Sequence, residues 1–285
     1  MKNAIVTGAN IGLGLETVKG LLQEGFHVTM ACRNEEKTSS AITKLKKEYP
    51  SSKIDFMKLD LNDLSSVKSF AENFAKSSSK LDLLVNNAGI MMPPFSLTAN
   101  GFESQLGVNY LSHFALTGLL FDLLKKSEDA RVISLASLAH KWGDIYFQDL
   151  NFKGKYNKKK AYGQSKLACL MFAYEFDRRL KEKNIKILSV AAHPGVSSTN
   201  LGQFMPKFMS FGMGLISQSA TDGARPTLYA ALNTELVGGE YIGPNGLGEM
   251  KGEPTKVDSN KASKNLVVAK KLWEVSEELT GVSFL

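Results

Sequence analysis

Cysteine, proline and tryptophan are scarce in this chain: its 285 residues include two, eight and two of them. Cys32 and Cys169 are far apart in sequence and belong to no pair with redox or metal-ligand spacing, so they read as reduced thiols, with no disulfide scaffold and no cysteine metal site. So few prolines, together with 22% charged residues, argue against a long disordered tail. Glycine and polar residues break every apolar run before it reaches signal-peptide length or the roughly 18 to 20 residues of a membrane span. These absences lead us to expect a cytoplasmic protein with no transmembrane segment.

What is present is enough apolar material for a substantial core. Hydrophobic residues make up 43% of the chain, and no repeat or linker divides it, so one domain over residues 1–285 is expected. The formal charge is +7 and the isoelectric point about 9.2. Such a charge raises nucleic acid as a partner. The lysines, however, lie on scattered helical faces or in the run from Lys153 to Lys160, without aromatic residues at base-stacking intervals. An anionic nucleotide cofactor is the milder explanation, and no nucleic acid partner is expected.

Strand and helix patterns alternate along the chain. Asn3 to Thr7, Phe26 to Ala31, Lys53 to Leu59, Leu81 to Val85, Ala130 to Leu135 and Ile187 to Ala192 are short apolar runs of strand type. Between them lie helical periodicities, including a long helix expected from about Gly101 to Lys126. A last short strand is read at Glu240 to Gly243, and a C-terminal helix at about Ser263 to Leu279, packing on the sheet or on a neighbouring subunit. This alternation predicts an α/β fold with a doubly wound, Rossmann-type parallel sheet covered by helices on both faces. In such a sheet the ligand lies at the strands' carboxyl edge.

Several candidate residues fall at that edge. Gly8, Asn10, Ile11, Gly12, Leu13 and Gly14 join the first strand to the first helix, where glycines let the backbone approach a pyrophosphate at a helix N-terminus. Arg33 ends the second strand, where an arginine suits a ribose 2′-phosphate through its planar, doubly donating head group; the alternative is a solvated arginine. Lys37 is a weaker second candidate. Asp60, followed by Leu61, either caps the next helix or accepts from an adenine amine. Asn87, Ala88 and Gly89 close the fourth strand, and Ser137 follows the fifth. Tyr162 and Lys166, four residues apart, share a helix face, which favours the phenolate and suits proton exchange with a substrate oxygen.

Taken in order, Gly8-x-x-x-Gly12-x-Gly14, Asn86-Asn87-Ala88-Gly89, Asn109, Ser137, Tyr162-x-x-x-Lys166 and Pro194-Gly195 resemble the motifs of the short-chain dehydrogenase/reductases over nearly the whole chain. The resemblance implies a nicotinamide cofactor, and Arg33 is read as selecting NADP over NAD. It implies Tyr162 as general acid or base, Ser137 as hydrogen-bond partner of the same substrate oxygen, and Lys166 as holder of the nicotinamide ribose. Asn109 would fix a water that relays protons to the lysine. Pro194, Gly195, Val196 and Thr199 would face the nicotinamide. His193, beside that turn, reads as a structural histidine.

Arg33, the extended segment from His140 to Lys160 and the late Tyr241-Ile242-Gly243-Pro244 look most like the retinol dehydrogenase-like and protochlorophyllide reductase-like branch. That branch implies bulky, lipophilic carbonyls or double bonds as substrates. Phe204, Met205, Phe208, Met209, Phe211 and Met213 suggest a substrate lid at about 196–225, with membrane docking as the alternative. Other readings remain open: a catalytically silent dinucleotide sensor or scaffold, a double-bond reductase, or a retinol-type alcohol dehydrogenase. A homodimer is a further possibility that the sequence leaves unassigned.

Overall fold

A computed structural model describes residues 1–196 and 218–285. Eight strands form one sheet in the order β3-β2-β1-β4-β5-β6-β7-β8. The strands are β1 (Asn3–Thr7), β2 (His27–Cys32), β3 (Ile54–Lys58), β4 (Leu83–Asn86), β5 (Ala130–Leu135), β6 (Ile187–Ala192), β7 (Tyr241–Pro244) and β8 (Pro254–Lys256). All neighbours are parallel except β7 and β8. β8 had no separate signal in the sequence. It is a three-residue edge strand that starts with a proline, which an edge tolerates because its outer N–H groups need no ladder partner.

The order turns back between β1 and β4, so the carboxyl ends of these two strands flank a crevice at the point where a doubly wound sheet binds ligands. The strands β1, β4 and β5 are buried almost throughout, as parallel strands covered on both faces must be.

On one face, α1 (Gly12–Gln23), α2 (Glu35–Glu48) and α8 (Ala220–Leu232) pack over Val6, Val28, Met30, Val85 and Val190. On the other lie α3 (Leu64–Ser77), α5 (Ser112–Leu119), α7 (Lys158–Glu182) and α9 (Leu266–Thr280). Phe114, Phe172, Phe176, Trp273 and Phe284 interlock there with ring centroids about 5 to 6 Å apart, in edge and stacked contacts. The C-terminal helix therefore packs on α7 and α5 of its own chain, with Trp273 buried between them. Its main support is this helical layer rather than the sheet.

The helix expected from Gly101 to Lys126 is broken. A single turn α4 (Ser104–Leu106) leads into a π-helical turn, Gly107–Leu111, followed by α5 and α6 (Phe121–Lys125). Continuous apolar periodicity hid the break. A π turn adds one residue to the helical circuit and turns Asn109 inward, and such turns gather at functional sites. Asp60 does not cap α3: its Oδ1 accepts from Asn62 N, and Asp63, whose backbone is extended, accepts from Ser65 N as the cap. Among the described residues, no helix is long and apolar enough to cross a membrane.

Candidate active site

The glycine turn is built on contact with the loop after β4. Gly8 and Gly12 both have positive φ, and a Cβ on Gly14 would lie 2.4 Å from Gly8 O and 2.6 Å from Asn87 Nδ2. Only glycine fits so close to another backbone. Asn87 Nδ2 donates to Thr7 O at 2.6 Å, and the N–H groups of Asn87 and Ala88 both donate to Thr7 Oγ1 at 2.9 Å. Ile11, the N-cap of α1, offers no side-chain acceptor to the first turn, and half its surface is exposed. The uncapped helix start at the crevice fits a pyrophosphate, which would take those amides. Asn10, Ile11, Gly12 and Leu13 line this start.

At the end of β2, Arg33 is exposed beside the first turn of α2, and Lys37 lies one turn further on; neither head group is paired among the described residues. Asp60 and Leu61 follow β3 on the same edge. The end of β6 brings Pro194, Gly195 and Val196 there too, with Pro194 O accepting from Gln218 Nε2 and Val196 N donating to Met250 O. Thr199, and the expected lid apart from its two ends, lie outside the described residues.

The inner part of the site is knitted around Asn109. Its side chain accepts from Ile90 N at 2.8 Å and donates to Ile90 O at 3.0 Å and Ser165 Oγ at 2.9 Å. The loop after β4 is thereby fixed to α7. A Cβ on Gly89 would lie 3.1 Å from Asn109 Oδ1 and 3.6 Å from Lys166 Nζ, so the loop, the π turn and the lysine meet at one point. The Asn109 carbonyl accepts from Cys169 Sγ at 3.2 Å and meets His113 Nδ1 at 2.9 Å. Since a carbonyl only accepts, His113 carries its proton on Nδ1, and Nε2 takes the Thr7 hydroxyl at 2.9 Å. Burial pushes the His113 pKa down to about 4, which keeps the ring neutral. Thr7, His113, Ser165 and Cys169 are the partners that sequence reading missed. Only Ser165, three residues after Tyr162 on the same helix, carried a spacing signal.

Ser137 follows β5 and starts a 3₁₀ turn, Leu138–Trp142, where its Oγ accepts from Ala139 N at 3.2 Å. Gly143, just beyond, packs on α7 so closely that a Cβ there would lie 2.3 Å from Gly163 O. The serine turn is thus pressed against the helix turn that carries Tyr162, which is 5% exposed. Lys166 Nζ donates to Leu135 O at 2.9 Å.

A cavity of about 500 Å3 opens next to this group, lined by Met92, Pro93, Pro94, Tyr156, Asn157 and Lys158. Lys158, Tyr162 and Lys166 recur every four residues along α7, so the cavity lies one helical turn before the tyrosine. Behind it, Tyr156 Oη donates to the buried Glu103 at 3.2 Å and accepts from Gln105 Nε2 at 2.9 Å, and Gln105 Oε1 accepts from Met92 N at 2.8 Å. This lattice sets the cavity wall.

The short chain dehydrogenase family model matches residues 2–208. Retinol dehydrogenase 13 of Mus musculus is 40% identical over 293 aligned positions, which cover 99% of this chain and 84% of that protein. Retinol dehydrogenase 12 of Mus musculus is 37% identical, covering 99% and 87%. A crystal structure of an uncharacterized Mycobacterium Paratuberculosis protein superposes with a TM-score of 0.85 at 39% identity, covering 100% of this chain and 95% of that one. A Pseudomonas aeruginosa RhlG/NADP complex shares the fold at a TM-score of 0.68 and 22% identity, over 84% and 93% of the two chains. The chain belongs to the short chain dehydrogenase family, in its retinol dehydrogenase-like branch, and is thereby an oxidoreductase of the CH–OH/C=O class.

Proposed function

We propose that the chain is an NADP-dependent oxidoreductase that interconverts a bulky, lipophilic carbonyl compound and its alcohol, with reduction favoured in the cytoplasm. One observation carries the reading: Gly89, Asn109 and Lys166 meet at a single point beside the glycine turn, and Tyr162 lies one helical turn from that lysine. A site for dinucleotide binding alone has no use for a phenol placed to exchange protons with a substrate oxygen.

Gly8, Asn10, Ile11, Gly12, Leu13, Gly14, Asn87, Ala88 and Gly89 hold the pyrophosphate side in this proposal. Arg33, with Lys37, takes the 2′-phosphate, and Asp60 and Leu61 border the adenine. Lys166 and Tyr162 hold the ribose, while Pro194, Gly195, Val196 and Thr199 flank the nicotinamide. When bound, the cofactor supplies or accepts the hydride. Tyr162 gives its phenolic proton to the substrate oxygen in reduction and takes it back in oxidation. Ser137 donates to the same oxygen, and Lys166 brings a fixed positive charge one turn away. Asn109 holds the Ile90 loop and Ser165, so that the lysine keeps its place and a water can pass protons to it. Met92, Pro93, Pro94 and Tyr156 exclude water from the apolar part of the substrate.

The placement in the cytoplasm rests on the two buried, unpaired thiols Cys32 and Cys169. The retinol dehydrogenase relatives favour one specific second reading, oxidation of a lipophilic alcohol. A panel of aliphatic, aromatic and retinoid-like carbonyls and alcohols, followed by absorbance of the reduced cofactor with NADPH, NADH and their oxidised forms, separates these readings. Turnover of the larger carbonyls with NADPH supports the proposal. Dinucleotide binding without turnover of any compound would replace it by the sensor reading.

A further inference from the structure

Glu249 ends a short 3₁₀ turn, Leu247–Glu249, in the link between β7 and β8. Its two carboxylate oxygens reach in different directions. Oε2 lies 3.1 Å from His193 Nε2, and Oε1 accepts from Lys141 Nζ at 2.9 Å. The His193 ring is fully buried, and its Nδ1 accepts the N–H of Gly195 at 3.2 Å. Because an amide can only donate, Nδ1 bears no proton, and Nε2 carries it towards Glu249. Burial keeps the imidazole neutral, and the His193 hydrogen bond, followed by Lys141, keeps the Glu249 carboxyl down at about 2. The arrangement is therefore a charge-assisted bond from a neutral, buried ring to a partly exposed carboxylate.

The same carboxylate joins two turns that come from different strands. His193 begins the Pro194–Val196 turn after β6, and Val196 N also donates to Met250 O at 2.8 Å, the residue after Glu249. Lys141 belongs to the 3₁₀ turn that opens at Ser137 after β5, and its neighbour His140 returns Nδ1 to Ser137 O at 2.7 Å. β7 leaves room for the joint: a Cβ on Gly243 would lie 2.0 Å from His193 Nε2. Lys141 is partly exposed, so its arm is the weaker one.

We propose that Glu249 is a positioning residue that fixes the Pro194–Val196 turn through His193 and the Ser137 turn through Lys141, so that the cofactor side and the substrate-oxygen side of the site hold one relative position. The inference rests on the proposed assignment of those two turns. Glu249 acts through His193 and Lys141. Its influence passes through the tautomer of His193: without an acceptor at Nε2 the ring is free to move its proton to Nδ1, which then opposes the Gly195 N–H.

Glu249→Leu, Glu249→Gln and Lys141→Ala test this in the full chain. The His193 tautomer is read by 15N NMR without cofactor, and the NADPH dissociation constant by fluorescence titration. For whichever substrate the panel yields, kcat and KM are measured. Glu249→Leu is expected to mix the two His193 tautomers and raise the NADPH dissociation constant at least fivefold. Glu249→Gln, which keeps an acceptor for Nε2–H, restores the single tautomer and brings the constant to within about twofold of wild type. Lys141→Ala leaves the tautomer alone and raises KM more than it lowers kcat. If Glu249→Leu folds, retains the Nε2–H tautomer and binds NADPH as wild type does, the inference is overturned. Should Glu249→Leu not fold, a Glu249→Gln variant that binds NADPH as poorly as a His193→Ala variant overturns it as well. Failure of the wild-type chain to bind either dinucleotide sinks the proposed function itself, together with this inference. Normal wild-type binding with unaffected variants sinks the inference alone.

Discussion

Lys166 Nζ donates to the main-chain carbonyl of Leu135 at 2.9 Å, so the lysine of α7 is moored to the strand that delivers Ser137 two residues later. The amine is nearly buried and points into the group formed by Gly89 and Asn109. Lys166→Met removes the charge and leaves Leu135 O without this donor. We expect kcat to fall at least about 100-fold, as for loss of a group active in proton transfer, while circular dichroism stays native. Lys166→Arg, with a bulkier head, is expected to recover little of it. Wild-type kcat in the methionine variant contradicts the assignment.

Tyr162→Phe preserves the ring that packs beside the serine turn and removes only the hydroxyl. Turnover of any carbonyl or alcohol should drop by about 10³-fold or more, while loss of one ribose contact raises the NADPH dissociation constant by no more than about tenfold. Near-normal turnover in this variant refutes the proposed mechanism whatever the substrate.

Arg33 stands exposed at the end of β2, without a partner among the described residues. Reversing its charge should weaken a 2′-phosphate ligand and tolerate a 2′-hydroxyl. For Arg33→Asp the ratio of kcat/KM with NADPH to that with NADH is expected to fall by about 10- to 100-fold, the range set by losing a charge-assisted hydrogen bond. An unchanged ratio removes Arg33 from the cofactor site.

Much of this was legible locally. The strands announce themselves as short apolar runs, the Tyr162–Lys166 pair as a four-residue interval, and the glycine turn as a strand that runs into Gly8. The break at Gly107–Leu111 was not legible, because Leu106, Tyr110 and Phe114 continue an apolar helical period across it. Asp60 and Asp63 are both plausible caps by composition; backbone angles, which the sequence does not display, select Asp63. The role of Glu249 depends on partners 56 and 108 residues away, and no local pattern reports so long a contact. Local rules thus place the chemistry on the sheet edge, and long-range packing decides how rigidly it is held.

The contact of Gly14 with Gly8 and Asn87 leaves no room for a methyl group. Gly14→Ala should cost about 1 to 3 kcal/mol by overpacking and lower the melting temperature by several degrees, with weaker dinucleotide binding on top. Gly25→Ala is the control: it has positive φ but nothing within 4 Å, so it should lose stability through backbone strain and leave dinucleotide binding intact. Equal binding losses in both variants would mean that the close approach at Gly14 does not matter.

Asp82 joins three elements at the opposite edge of the sheet from the site. It accepts from Asn3 N at 2.7 Å, Lys80 Nζ at 2.8 Å and Ser127 Oγ at 2.7 Å, with a side chain that is almost fully buried. Burial opposes the charge, but the Lys80 ammonium, the Ser127 hydroxyl and the Asn3 amide outweigh it and hold the pKa below the ordinary carboxylate value. A folded-state pKa below the unfolded one means that the unfolded chain binds more protons in the interval between them. The stabilisation is therefore full above the unfolded value of about 4 and disappears as pH falls through the folded one. Asp82→Asn should be less stable than wild type by about 1 to 3 kcal/mol at pH 7, since the amide cannot serve all three donors. In urea denaturation from pH 7 downwards, the gap is expected to hold steady to about pH 5 and to narrow below pH 4. A gap that widens with acid would reverse the sign and show that Asp82 is protonated in the folded protein.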